Sequence, residues 1–173
     1  MIVIGIDPGK DGAVVALHVE EMNVLYTALT CKMVLGKDYS GALMTMALID
    51  AKNATPDWVA GDQPVFVVIE AQLARKGKVV PGLTSVLNTG RGWGLWEGIT
   101  AALGLPFDAK VSPSAWTAKM GVTGDKATHV RRAMELLPSL DLMPGKRTTP
   151  HHGLADAGLL AVYGARYLIG GRG

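Results

Sequence analysis

Cysteine is almost missing: Cys31 is the only one in 173 residues. A single thiol excludes an internal disulfide framework and any zinc site built on cysteines. It also makes a reducing cytoplasm the expected compartment. No uncharged apolar run approaches the roughly 18 residues of a membrane span, so no membrane partner is expected. No basic stretch precedes an apolar one at the N-terminus, as a secretory leader would require. Repeats, heptads and low-complexity tracts are absent. Charged residues are scarce as well, at 18%.

Apolar residues supply 49% of the chain and mean hydropathy is +0.24. That excludes disorder as the main state. The length suits one domain, expected over 1–173, with a core large enough to need no staples. Net charge is only +2, but it is unevenly spread. Up to Ala71 four lysines face nine acids; beyond it thirteen Lys and Arg face six acids. The first part therefore carries −5 and the second +7. Such a split fits a polyanion footprint beside an acidic, cation-holding site, or a surface that is merely uneven.

Short apolar runs at 2–6, 13–19 and 24–29 are separated by turn-forming residues, which predicts three antiparallel strands. Helical spacing follows over 38–52, with Asp38 or Ser40 as its cap. Residues 64–69 read as a buried strand ended by Glu70. A basic loop at 71–80, a long helix at 84–103 and a strand at 107–111 come next. A basic-faced helix at 125–137, a loop at 140–150 and an Ala- and Leu-rich helix at 153–168 complete the chain. The order predicts an α/β fold, a mixed sheet with helices on both faces.

Asp7 and Glu70 each end a predicted buried strand, and Asp156 lies among Ala and Leu. Each alone suits a turn, a strand end or a helix first turn. Together they form the hard oxygen set that Mg²⁺ or Mn²⁺ prefers. Two such ions about 4 Å apart could act on a phosphodiester. His152 lies four residues before Asp156, about one helical turn, so both can face one point. His151 then points roughly 100° away. His18 and His129 read as ordinary surface or core histidines. The turn from Asp7 to Gly12 resembles a phosphate cradle but lacks both GxxxxGK[ST] and GxGxxG. Gly90, Gly92, Gly94 and Gly98 fall inside a predicted helix at about 1 kcal/mol each. Close approach of a second helix would compensate, as would a bent helix with no partner.

Ile4-Gly5-Ile6-Asp7-Pro8-Gly9, Val68-Ile69-Glu70 and Ala155-Asp156-Ala157 together resemble the RuvC family of Holliday junction resolvases. The stretch from Asn88 to Gly98 looks like that family's dimer helix. The segments 111–116 and 121–126 are similar to the approach to its basic helix. The likeness runs over roughly 2–167, and the His-His-Gly and Pro-x-x-Trp segments look closer to the bacteriophage branch. It implies a ribonuclease H-like fold with a mixed five-stranded sheet and a homodimer. It also implies two-metal cleavage of opposed strands at a four-way DNA junction, with Mg²⁺ as the cofactor and Mn²⁺ a possible substitute.

Carried over residue by residue, Asp7, Glu70 and Asp156 match the metal-binding acids. Cellular members place Asp or His three residues before the last acid, where this chain has Gly153. Phage-like members place an acid four before, where His152 stands. The loop after Glu70 lacks the aromatic that cellular members stack on junction bases. The expected DNA contacts are Arg75, Lys76, Lys78, Lys110, Lys119, Lys126, Arg131 and Arg132. Three alternatives remain: a ribonuclease H-like nuclease on other branched or hybrid nucleic acid, an actin-like nucleotide-binding protein, and a non-catalytic junction binder. The residues specify no branch-migration motor as partner.

Overall fold

The computed structural model describes residues 1–55, 61–72 and 82–169. Strands β1 (Ile2–Asp7), β2 (Ala13–His18) and β3 (Asn23–Leu29) form an antiparallel meander. A 3₁₀ turn, Thr30–Met33, leads into a small hairpin of β4 (Val34–Leu35) and β5 (Asp38–Tyr39). Helix α1 (Gly41–Asn53) follows, capped by the Ser40 hydroxyl, which accepts from the Leu43 N–H. The chain returns as β6 (Val65–Glu70), crosses through α2 (Leu83–Ala102), and returns again as β7 (Phe107–Val111). Three helices close it: α3 (Pro113–Met120), α4 (Lys126–Leu136) and α5 (His152–Tyr163). A wider π-type turn, Gly164–Ile169, continues α5.

The sheet order is β3-β2-β1-β6-β7, with β1, β6 and β7 parallel. Residues of β1, β6 and β2 alternate between two apolar layers, as the strand period requires. Ile2, Ile4, Ile6, Val67 and Ile69 pack with Met44, Leu48 and Trp96 of α1 and α2. Val3, Val15, Leu17, Phe66 and Val68 pack with α3, α4 and α5. The sheet is thus mixed, five-stranded and covered on both faces, in agreement with the sequence reading.

Helix α5 lies unusually close to the sheet. A Cβ at Gly5 would run into the Ala157 carbonyl and the Ala161 nitrogen. The small residues of α5 and the bare backbone of Gly5 therefore let helix and central strand meet backbone to backbone.

Several local features differ from the sequence reading. Asp38 and Tyr39 belong to β5, so α1 starts three residues later than expected. Residues 113–120, read only as a segment before the basic helix, form α3. Ser112 caps it, Pro113 occupies its first turn, and Gly121 ends it at a φ of 69°. Glycines of α2 divide into two kinds. Gly92 faces the Tyr39 ring, where a Cβ would clash. At Gly90, Gly94 and Gly98, among the described residues, no atom beyond the helix's own neighbouring backbone lies within 4 Å of where a Cβ would stand. Their common face points outward.

Candidate active site

Parallel neighbours β1 and β6 end side by side, so Asp7 and Glu70 emerge at one edge of the sheet. Helix α5 runs against β1 and places Asp156 beside them. The three acids line one pocket of about 400 Å³ with Gly9, Gln72, Trp116, Thr123, Lys126 and His129. Ligand sites at the carboxyl ends of parallel strands recur in α/β sheets for this reason: buried strands hold the end groups rigidly.

The turn after Asp7 is held from within. Its Oδ1 accepts from the Gly9 N–H at 3.0 Å. The buried Thr30 hydroxyl lies 2.5 Å from the Gly9 carbonyl and 2.9 Å from that of Lys10. The phenol of Tyr39 donates to the Pro8 carbonyl at 3.3 Å.

Each of the other two carboxylates is held by a buried ring. The Trp116 indole N–H donates to Glu70 Oε1 at 2.9 Å. The Nδ1 of His129 lies 2.5 Å from Asp156 Oδ1, and its Nε2 lies 2.6 Å from the Thr123 carbonyl. Both ring nitrogens of His129 thus face oxygen acceptors. Trp116 and His129 also touch edge to face, with centroids 5.4 Å apart. The second oxygen of Asp156 accepts from Lys126 Nζ at 2.6 Å.

Crowded negative charge shows in the acidities. Burial pushes the Asp7 carboxyl up to about 7, and the neighbouring charges of Glu70 and Asp156 add to this, against the pull of the Gly9 N–H and Lys126. Burial alone would lower the Lys126 ammonium. Its hydrogen bond to Asp156 and the charges of Asp156, Asp7 and Glu70 raise it instead.

Three carboxylates in one pocket are a donor set that suits a hard divalent cation; burial first, and then the charge of Glu70, make an ionised Asp7 costly there. Among the described residues no three His, Cys, Asp or Glu side chains stand ready as a metal site. Lys126 and His129 instead engage both oxygens of Asp156. The donor chemistry suits the metal, and the Lys126 partner of Asp156 is the more exposed of the two groups that engage it.

His152 is not part of this pocket. It is exposed and lines a groove with Ala127, Val130, Arg131, Met134, Thr149 and Pro150. His151 is the buried N-cap of α5, its Nδ1 accepting from the Leu154 N–H. The one-turn spacing of His152 and Asp156 holds, but α4 lies across that side of α5. The Lys126 and His129 side of α4 reaches Asp156, and its Ala127 and Arg131 side faces His152. Gly153 cannot carry a ligand: a Cβ there would meet the Asp11 carbonyl and the Gly12 backbone. His129, read as ordinary, is the histidine at the acids. The signal for it was its one-turn spacing from Lys126 on the basic helix.

Of the expected DNA contacts, Arg75, Lys76 and Lys78 lie outside the described residues. Lys110 and Arg131 are exposed. Lys119 sits over the Tyr167 ring, 5.3 Å from its centroid. Arg132 donates to the Met120 carbonyl and to Glu135. Lys126 is drawn into the acid pocket.

No protein-family model and no curated protein sequence matches the chain. Its class is clear from the fold: an α/β, ribonuclease H-like architecture. Within that class the fold is that of RuvC. The structure of T. thermophilus RuvC in complex with Holliday junction substrate superposes with a TM-score of 0.66 at 16% identity, covering 99% of this chain and 96% of that one. A second Thermus thermophilus RuvC structure gives 0.64 at 19% identity, covering 99% and 97%.

Proposed function

We propose that this chain is a metal-dependent endonuclease that resolves four-way DNA junctions as a homodimer in the cytoplasm of a bacterial cell or phage host. The observation that carries the reading is the gathering of Asp7, Glu70 and Asp156 in one pocket, on the strand ends and the closing helix of a RuvC fold. Those three acids would hold Mg²⁺, with Mn²⁺ as substitute, and two ions in the full reading. When bound, such ions supply Lewis acidity for water attack on a phosphodiester and offset charge on the leaving oxygen.

The chain's own groups do the rest. Asp7 takes its position from the Gly9 N–H, Glu70 from Trp116 and Asp156 from His129. Lys126 reaches the pocket from an exposed position, so it can exchange Asp156 for a substrate phosphate. Lys110 and Arg131, with the basic stretch of Arg75, Lys76 and Lys78, supply charge for the DNA backbone. A junction offers two equivalent strands, and two-fold symmetry of a dimer would supply two sites.

Incubation with labelled four-way junction, flap, linear duplex and RNA–DNA hybrid in Mg²⁺ tests this. Paired, symmetric nicks in the junction are expected, and Glu70→Gln should lose them while still shifting junction in a gel. Cleavage of flap or hybrid in preference to the junction would reassign the substrate. Undiminished cutting by Glu70→Gln would end the active-site reading.

A further inference from the structure

The two rings beneath the acids do more than fill the core. Trp116 is 1% exposed and His129 5%. Each sets a ring nitrogen against a different carboxylate, Trp116 donating to Glu70 and His129 Nδ1 bonded to Asp156, and they pack edge to face against each other. His129 is anchored from behind by the Thr123 carbonyl. Glu70 and Asp156 belong to β6 and α5, whereas Trp116 and His129 belong to α3 and α4. The pair therefore links four elements, and the ring contact ties the direction of one carboxylate to that of the other.

We propose that Trp116 and His129 act together as positioning residues that fix the Glu70 and Asp156 carboxylates for a divalent cation, a role that rests on the metal-dependent reading above. Each ring holds one oxygen of its carboxylate by a directional hydrogen bond. This fixes the carboxyl plane and takes up the rotamer freedom that a free acid would lose on binding. Hydrogen-bond partners of metal-binding carboxylates are typically worth 10–100-fold in metal affinity.

The test is Mn²⁺ binding by the full chain, followed by the electron paramagnetic resonance of free Mn²⁺ at fixed pH. Trp116→Phe keeps the ring against His129 and deletes the N–H. His129→Gln places its amide at the Thr123 side and deletes the hydrogen bond to Asp156. His129→Asn places an amide nitrogen near the position of Nδ1 and restores it. We expect Trp116→Phe and His129→Gln each to weaken Mn²⁺ binding by about tenfold or more. His129→Asn should recover most of the loss.

Wild-type affinity in both Trp116→Phe and His129→Gln would overturn the proposal, as would an Asn variant no better than Gln. Trp116→Phe decides alone if the histidine variants do not fold. Wild-type protein that binds Mn²⁺ no better than Asp7→Asn would overturn the metal-dependent reading itself, and the positioning role with it.

Discussion

Asp7 is held in the pocket at a cost, and removing its charge should make the protein more stable. In the fold its carboxyl is pushed from an ordinary 3.8 to about 7, by burial first and then by Glu70. Between those values the folded chain keeps a proton that the unfolded chain has released. Stability from this group is therefore full below about pH 4 and is lost as pH rises to about 7. At roughly 1.4 kcal/mol per pH unit the whole cost approaches ~4 kcal/mol at pH 8. Asp7→Asn removes the charge and keeps an oxygen for the Gly9 N–H. Solvent at the open side of the pocket screens part of the cost, so about 2 kcal/mol is expected back. For a chain of this length that is ~4–8 °C in Tm. Thermal unfolding in EDTA at pH 8 and pH 4 measures it. The variant should melt higher at pH 8 and level with wild type at pH 4. Millimolar Mg²⁺ should then raise the wild type toward the variant and leave the variant unmoved. A variant no more stable than wild type at pH 8, or a gap equal at both pH values, would refute the electrostatic account of this pocket.

Gly153→Ala gives a second check. Helix propensity alone favours alanine by about 1 kcal/mol, yet the new methyl would press on the backbone of Asp11 and Gly12. A net loss of about 2 kcal/mol in chemical denaturation is expected, and a stabilised variant would contradict the packing of α5 on that turn. Gly94→Leu should leave the protomer's fold, read by circular dichroism, unchanged, since nothing beyond the helix's own backbone stands within 4 Å of its Cβ position. It should convert a dimer to monomer in light scattering; an intact dimer would move the interface off α2.

The sheet was legible because its strands are continuous apolar runs with polar ends. Strand 107–111 was read to the residue, and β1 and β6 to within one. Parallel pairing brings Asp7 and Glu70 to one edge, so the acids could be read together from the strand order. Helix α3 was missed although Ser112, Pro113 and Gly121 mark both its ends; eight residues give too little periodicity for a hydrophobic pattern to show. The histidines failed for a different reason. Spacing along one helix says which side chains share a face and nothing of what lies across that face. Here α4 intervenes, and His129 reaches Asp156 from 27 residues away in sequence.

The contact of Gly5 with α5 sets how far this protein can drift. Asp7 lies two residues beyond Gly5 and Asp156 one residue before Ala157, so the two acids are registered by main chain resting on main chain. Apolar side chains elsewhere in either layer can be exchanged for others of similar volume without shifting that alignment. The nuclease chemistry proposed here would then depend on a few bare backbone positions and tolerate wide change around them. A side chain at residue 5, two residues short of Asp7 and in no contact with substrate, would damage the pocket as surely as the loss of a carboxylate.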